Sequence, residues 1–214
     1  MPKHLKEHRK GKHADAIGDV PIVPVILAAG RAPRLKFPQP LAQFVDRTAL
    51  EIAVENCAGL ATPIVVLGYQ AARVRPAVPR GARVVVHRGW RSGQLGSLRA
   101  GLRHVPRDAS FLMYPVDYPL LTSWVIRRLV AAFRRRRARE TIVVPTFRGR
   151  AGHPVIFSPA VRGELAEART ACEVVEKDAR RVKFVPVGTA AIEQDFDTPA
   201  AYHRCRRAYG RRKD

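Results

Sequence analysis

The sequence has few cysteines, no long apolar run and few acidic residues, and each scarcity narrows the possibilities. Its three cysteines, Cys57, Cys172 and Cys205, stand far apart with no CxxC pair and no neighbouring histidine cluster. This spacing excludes a zinc site built on cysteine pairs. No segment approaches the roughly 20 consecutive apolar residues that span a bilayer, and the N-terminus lacks the apolar stretch of a secretion signal. We therefore expect a cytoplasmic protein with no membrane partner.

Acidic residues are outnumbered, with 18 Asp and Glu against 39 Lys and Arg and a formal net charge of +21. Such a charge makes RNA or DNA a possible partner. However, no aromatic residues interleave the basic runs, as platforms for single-stranded nucleic acid require. A solvated positive surface is the simpler interpretation, so nucleic acid is a possible partner that the sequence does not favour.

The length of 214 residues and the apolar content of 46% fit one soluble globular domain. Residues 1–19 are basic and lack apolar periodicity, which predicts a flexible leader. We place a single domain over residues 20–204 and a basic C-terminal tail over residues 205–214. The sequence leaves the oligomeric state open.

Strand-like and helix-like segments alternate along the predicted domain. Short apolar runs predict buried strands at residues 20–30, 63–68, 82–87, 110–117, 141–146 and 182–187. Helical spacing occurs between them, at residues 49–60, 96–105 and 123–140. This alternation predicts an α/β fold of Rossmann-like type, with a mostly parallel sheet and helices on both faces. Ligands of such sheets bind beyond the carboxyl ends of the strands.

The first predicted strand ends in the loop LAAGRAPR, residues 27–34. Small residues let a ligand approach the backbone, loop amides bind phosphates, and Arg34 adds a forked donor for phosphate oxygens. The same pattern also fits a tight turn between a strand and a loop.

Acidic residues occur at two places that suit a metal. Asp117 ends a strongly apolar strand, where a carboxylate is costly to desolvate unless it meets a cation. Asp195 and Asp197 alternate in the segment DFDTP, so their side chains point the same way if the segment is extended. As alternatives, Asp117 caps the helix near Ser123 or pairs with an arginine, and the later segment starts a helix capped by Thr198.

Two further segments offer polar groups. Residues 93–102, GQLGSLRAGL, place a glycine-containing loop and Ser97 before a helix, with donors for a base or a ribose. Residues 152–155, GHPV, form a constrained turn with one imidazole, that of His153. A lone histidine is more often structural than catalytic.

Taken in order, LAAGRAPR, GQLGSLRAGL, VDYPLL, GHPV and DFDTP resemble the molybdenum cofactor cytidylyltransferase group of the MobA-like nucleotidyltransferases. The resemblance covers residues 23–202. It implies a fold of the nucleotide-diphospho-sugar transferase type and an enzyme that moves a nucleoside monophosphate from an NTP, with CTP favoured, to a phosphorylated acceptor such as a molybdopterin-type cofactor. Pyrophosphate is released and Mg²⁺ is the implied cofactor.

The resemblance also implies roles for individual residues. The catalytic group contains Arg34 and Asp117, to which we add Lys36 from the chain's own sequence, and the metal ligands are Asp117 and Asp197. The nucleotide and acceptor are held by Leu27, Ala28, Ala29, Gly30, Arg34, Gln39, Gly96, Ser97 and His153, with His153 on the acceptor side.

The chain departs from the family pattern in its phosphate loop. Gln39 stands where the family has a lysine, and an amide donates a hydrogen bond but carries no charge. Lys36 occupies a glycine position three residues earlier and is a candidate replacement, while Pro33 removes one amide donor. These departures keep open the alternative of a catalytically impaired member that binds a nucleotide or a protein. The net charge of +21 keeps open a second alternative, a basic nucleic-acid-binding protein.

Overall fold

The computed structural model describes residues 21–212, which are organised around one sheet of eight strands and a separate two-stranded hairpin. The strands are β1 (Ile22–Ala28), β2 (Gln43–Phe44), β3 (Arg47–Thr48), β4 (Ile64–Leu67), β5 (Arg83–Val86), β6 (Ser110–Pro115), β7 (Ile142–Phe147), β8 (Arg150–Ala151), β9 (Val155–Phe157) and β10 (Val182–Pro186). Strands β2 and β3 form the hairpin. All six strands predicted from the sequence are present.

The large sheet has the strand order β10-β7-β9-β6-β1-β4-β5, and β8 extends β7 as a short hairpin. Along this order every pair is parallel except those made by β9, which runs antiparallel to both β6 and β7. The chain moves outward from β1 through β4 to β5 and then returns to place β6 on the other side of β1. This reversal separates the connections that leave β1 and β6 and opens a crevice at their carboxyl ends.

Helices cover both faces of the sheet, which confirms the predicted fold class. They are α1 (Ala49–Asn56), α2 (Ala71–Val74), α3 (Gly93–Leu102), α4 (Ser123–Arg134), α5 (Arg162–Glu167), α6 (Ala171–Glu176) and α7 (Pro199–Gly210). One core packs α1, α4 and α7 against one face, and a second packs α3, α5 and α6 against the other. Neighbouring β1 residues alternate between them, with Ile26 in the first core and Val25 in the second.

Local sequence features explain where helix α1 begins and where helix α4 ends. Helix α1 begins at a capping box, in which the Thr48 side chain accepts from the Glu51 N–H and Glu51 accepts from the Thr48 N–H. Helix α4 ends at Arg134 instead of the predicted residue 140. The buried stripe of α4 stops at Phe133, and the arginines after it have no apolar face to bury.

The short elements β2, β3, β8, β9, α2, α5 and α6 were not predicted. Strand β9 has three residues, too few to show a period, yet it fills the gap between β6 and β7. The turn from β7 to β8 has Arg148 and Gly149 at positive φ angles of 49° and 80°.

The predicted boundary between the domain and the C-terminal tail falls inside α7. Cys205 is buried, and the Tyr209 ring meets that of Phe44 with 5.8 Å between centroids. The predicted leader, residues 1–19, lies outside the described residues. Within residues 21–212, no helix combines the length and apolar character needed to cross a membrane.

Candidate functional site

A cavity of about 290 Å³ lies at the carboxyl ends of β1 and β6. Strand pairing places Leu27 of β1 beside Pro115 of β6, and the Val116 N–H donates to the Leu27 carbonyl over 3.1 Å. The lining includes seven of the residues that the sequence singled out: Leu27, Ala28, Ala29, Gly30, Gln39, Ser97 and Asp117. The crevice predicted from strand alternation therefore contains most of the predicted site.

Asp117 carries the most unusual electrostatics in this cavity. Its Oδ1 atom is buried and has no hydrogen-bond partner among the described residues. Burial, followed in importance by the nearby carboxylates of Asp195 and Asp197, raises its pKa from 3.8 to about 6. The helix cap expected as an alternative is absent, because α4 is preceded by Thr122 as its N-cap residue. Burying a carboxylate oxygen without a partner costs free energy, and a bound cation would offset that cost.

The acidic segment around Phe196 is fastened directly beside Asp117. The Phe196 N–H donates to the Asp117 carbonyl over 3.2 Å, and the buried Phe196 ring contacts that of Phe44 with centroids 5.2 Å apart. Burial, and then the charge of Asp197, raises the pKa of Asp195. Thr198 caps α7 by accepting from the Ala201 N–H, as the sequence predicted. The structure thus brings Asp117 and the 195–197 segment to one edge of the sheet.

Of the side chains expected to hold phosphates, Gln39 lines the cavity, whereas Arg34 and Lys36 do not. The Gln39 amide lines the cavity and donates through Nε2 to the Phe196 carbonyl over 3.0 Å. Arg34 pairs with Asp197 over 3.2 Å, both being well exposed. Lys36 is exposed, and neither it nor Arg34 is among the residues that line the cavity.

The acidic residues suit a divalent cation that is only partly ligated by protein. In the region from residue 21 to residue 212, no three His, Cys, Asp or Glu side chains are already grouped to hold a metal ion. The unpartnered Asp117 Oδ1 and the neighbouring Asp197 offer hard oxygen ligands. Mg²⁺ is typically bound by one or two carboxylates together with substrate phosphates, so the donors present fit that ion.

Two predicted glycines have different surroundings. A Cβ atom on Gly30 would meet nothing within 4 Å, so the space in front of the loop is open to a ligand. A Cβ atom on Gly96 would lie 1.9 Å from Ser92 Oγ. The sequence placed Gly96 in a loop, but α3 already starts at Gly93, and Ser97 Oγ donates to the Gly93 carbonyl over 3.2 Å. Gly96 therefore serves the packing of the first turn of α3.

Among the lining residues that sequence reasoning missed, four have polar or aromatic side chains: Arg31, Trp90, Arg91 and Gln94. Arg31 and Gln94 lay within quoted motifs, yet nothing in their spacing distinguished them from their neighbours. Trp90 and Arg91 lie in a short turn after β5, between the predicted strand at residues 82–87 and the segment at residues 93–102. Their sequence did contain a signal for a binding site, because a tryptophan and an arginine shortly precede the glycine-containing start of a helix.

A second cavity of about 360 Å³ adjoins the first, and Gln94 lines both. His153 lines the second cavity, on the side predicted for the acceptor, and its ring meets that of Tyr118 with centroids 5.0 Å apart. Burial lowers the pKa of His153 to about 4, so the imidazole is neutral at physiological pH. Most of the remaining lining is apolar, with Arg150 and Glu193 as charged exceptions.

A glycine-bearing loop, a carboxylate with a free oxygen and a polar helix start thus surround one crevice of a mostly parallel sheet. Comparison with known proteins gives this arrangement a family, because the model of the MobA-like NTP transferase domain matches residues 24–183. The chain belongs to the MobA-like NTP transferase family.

Individual relatives of this MobA-like chain cover nearly its whole length. It is 32% identical to the nicotine blue oxidoreductase of Paenarthrobacter nicotinovorans over 199 residues, which is 87% of this chain and 97% of that protein. It is 31% identical to the Rv0371c protein of Mycobacterium tuberculosis H37Rv, with a TM-score of 0.75 over 86% of this chain and 96% of that one. A further structure of that protein is a complex with manganese, matched with a TM-score of 0.73, 31% identity and coverage of 86% and 97%.

Membership in the MobA-like family makes the chain a nucleotidyltransferase by class. Enzymes of this class bind a nucleoside triphosphate and an acceptor, and the two adjoining cavities provide separate spaces for two such ligands.

Proposed function

We propose that this chain transfers a nucleoside monophosphate from an NTP, with CTP favoured, to a phosphorylated small molecule such as a molybdopterin-type cofactor. The observation that carries the proposal is the buried Asp117 Oδ1 atom. It has no hydrogen-bond partner among the described residues and lies near the carboxylates of Asp195 and Asp197. Such a site is unfavourable by itself and becomes favourable when a cation and phosphate oxygens complete it.

The proposed reaction is a substitution at the α-phosphorus. A phosphate oxygen of the acceptor forms the new bond, the bond to the oxygen bridging towards the β-phosphorus breaks, and pyrophosphate leaves with that oxygen. The acceptor phosphate is already ionised and needs no general base. Catalysis then depends on positioning and on neutralising charge.

Residues in the cavity and next to it have the following roles in this scheme. The space beside the Gly30 Cα is open, so the loop amides would be accessible to phosphate oxygens, while Gln94 and Ser97 at the start of α3 would contact the nucleoside. Asp117 and Asp197 would hold Mg²⁺, which supplies charge neutralisation to the phosphates when bound. Arg34 exchanges its exposed contact with Asp197 for phosphate, because surface ion pairs of this type contribute little.

The second cavity supports an acceptor with an apolar body. Side chains such as Val144, Phe157 and Ile192 line it, together with Arg150, which pairs with Glu193 over 3.0 Å. Gln94 stands where the two cavities meet, so the transferred group passes this residue.

The test is release of pyrophosphate from CTP, ATP, GTP and UTP with Mg²⁺ and a panel of phosphorylated acceptors, including molybdopterin. We expect release with one acceptor class and its loss in Asp117→Asn. Asp108→Asn, an exposed carboxylate away from the cavity, is the matched control. Calorimetry separates the alternatives: tight, Mg²⁺-dependent NTP binding without turnover on any acceptor would identify an impaired binding module.

One observation favours a second candidate. The relative named a nicotine blue oxidoreductase is 32% identical and is covered over 97% of its length. In this alternative the first cavity holds a reduced nicotinamide dinucleotide, which gives a hydride to an apolar ring compound in the second cavity, and solvent supplies the proton. Loss of the reduced nicotinamide absorbance in the presence of ring acceptors, without pyrophosphate release from any NTP, would favour it.

A further inference from the structure

Two arginines stack on a pair of aromatic rings at the first cavity, the one lined by Gly30 and Asp117. The rings of Tyr69 and Trp90 meet edge to face with centroids 5.4 Å apart. The Arg31 guanidinium carbon lies 5.6 Å from the centre of the Tyr69 ring, and that of Arg91 lies 4.6 Å from the centre of the Trp90 ring. Stacking on an aromatic face restricts a guanidinium without using its N–H donors.

The aromatic pair is itself held against the glycine loop. The Tyr69 N–H donates to the Ala29 carbonyl over 2.9 Å. A Cβ atom on Gly68 would lie 2.5 Å from Trp90 Cβ, so the absence of a side chain at residue 68 lets Trp90 pack this closely. The rings under the two arginines are therefore held close to Ala29, Tyr69 by its backbone hydrogen bond and Trp90 by its packing on Gly68.

Both arginines are exposed, both line the cavity, and within residues 21–212 neither forms an ion pair with a carboxylate. The other basic or polar candidates are placed differently. Gln39 donates to the Phe196 carbonyl, and Arg34 is paired with Asp197. Among the residues that line this cavity, Arg31 and Arg91 are therefore the two with cationic side chains.

We infer that Arg31 and Arg91 bind the triphosphate of the nucleotide and together replace the positive charge that Gln39 lacks. The inference rests on the proposed function, since it assigns ligands to the same cavity. Planar guanidinium groups donate in parallel to phosphate oxygens, and each of the two is stacked on its own aromatic ring with its N–H donors left for a ligand. Gln39, in turn, is a positioning residue for the acidic segment.

The experiment measures how affinity depends on the number of phosphates. Calorimetry with Mg²⁺ compares CTP with CMP, and ATP with AMP, for the full chain and for Arg31→Gln, Arg91→Gln and the double variant. Arg88→Gln removes an exposed arginine from the same turn that does not line the cavity, and so serves as the matched control for net charge. Arg91→Lys keeps the charge and loses the planar stack.

We expect each single variant to weaken triphosphate binding by about tenfold, the value for one charge-assisted contact, and to change monophosphate binding by no more than about threefold. Arg88→Gln should leave the ratio of triphosphate to monophosphate affinity unchanged, and Arg91→Lys should restore part of the loss.

An unchanged ratio in the double variant would overturn the inference while leaving the proposed function intact. A ratio that depends on both arginines, in a protein that releases no pyrophosphate with any acceptor, would support the inference and count against the proposed transfer. Absence of nucleotide binding by the unaltered chain would overturn both.

Discussion

The backbone N–H of Phe196 donates a hydrogen bond to the backbone carbonyl of Asp117 over 3.2 Å. This bond joins the end of β6 to the segment before α7 and places the buried carboxylate of Asp117 near the more exposed carboxylates of Asp195 and Asp197. Because Phe196 is buried between them, the acidic residues on either side of it cannot move away independently. The repulsion that results is a property of the metal-free protein, and it is measurable.

Asp117→Asn should stabilise the metal-free protein at neutral pH. The pKa of Asp117 is raised from 3.8 to about 6, so its stability contribution is present below about pH 4 and is lost as pH rises through about 6. We expect the variant to gain about 1 to 3 kcal/mol in unfolding free energy near pH 8 and almost nothing near pH 4.

Urea unfolding in the presence of a chelator, repeated across this pH range, measures the effect. Asp108→Asn is the control and should show no such pH dependence. A variant at residue 117 that loses stability at high pH would contradict the assigned burial of the charge. Mn²⁺ affinity of the same variant should fall even though its fold is more stable.

Gln39→Ala should weaken metal binding through the acidic segment. The substitution removes the 3.0 Å hydrogen bond to the Phe196 carbonyl and leaves the segment held by fewer contacts. We expect a loss of about 1 kcal/mol in stability and a similar loss in Mn²⁺ affinity. Gln43→Ala, whose side chain is exposed, is the control.

Gln39→Lys gives a complementary measurement, because it restores the charge that the family has at this position. We expect little change in the rate of transfer, since Arg31 and Arg91 already line the cavity. A large gain in rate would show that the native loop lacks a needed charge, and impaired rates in Lys36→Ala would assign that charge to Lys36 instead.

Local patterns were enough to predict the sheet and the crevice. The apolar runs of β1, β4 and β6 are continuous because these strands are buried on both faces, and that pattern depends only on nearby residues. Asp117 could also be identified from nearby residues, because it places a charge directly after a buried apolar run. Strand β9 was missed because its position is fixed by its neighbours in the sheet and not by its own three residues.

Contacts between distant segments were beyond the reach of the sequence. The Gln39 amide was assigned to phosphates, but its partner is a carbonyl in the 195–197 segment, which the fold alone brings near. The seating of Trp90 on Gly68 likewise depends on how two strand ends meet. Sequence spacing carries no information on such pairs.

Gly68→Ala should destabilise the protein and disturb the cavity. The added methyl group would lie 2.7 Å from the Ala29 carbonyl oxygen and 2.5 Å from Trp90 Cβ. We expect a cost of about 1 to 3 kcal/mol, as for other overpacked sites. In Gly163→Ala, within α5, the methyl group meets nothing within 4 Å and should be neutral or stabilising. Thermal unfolding of the two variants compares them directly, and equal melting temperatures would contradict the packing described.

Gly30→Ala should separate stability from binding. A methyl group at residue 30 meets no protein atom within 4 Å, so we expect unfolding to change by less than about 0.5 kcal/mol. Phosphates drawn close to the loop would meet that methyl group, and CTP affinity should fall. An affinity equal to that of the unaltered chain would place the phosphates away from Gly30.

Gln94 is the one residue, within the part of the chain that the structure describes, that lines both cavities. The remaining walls are separate sets of side chains. Under the proposed function, substitutions around Phe157 or Ile192 would alter the acceptor cavity and leave the residues of the nucleotide cavity as they are. A single shared residue leaves the two halves free to diverge at different rates, so one scaffold is able to acquire unlike chemistries.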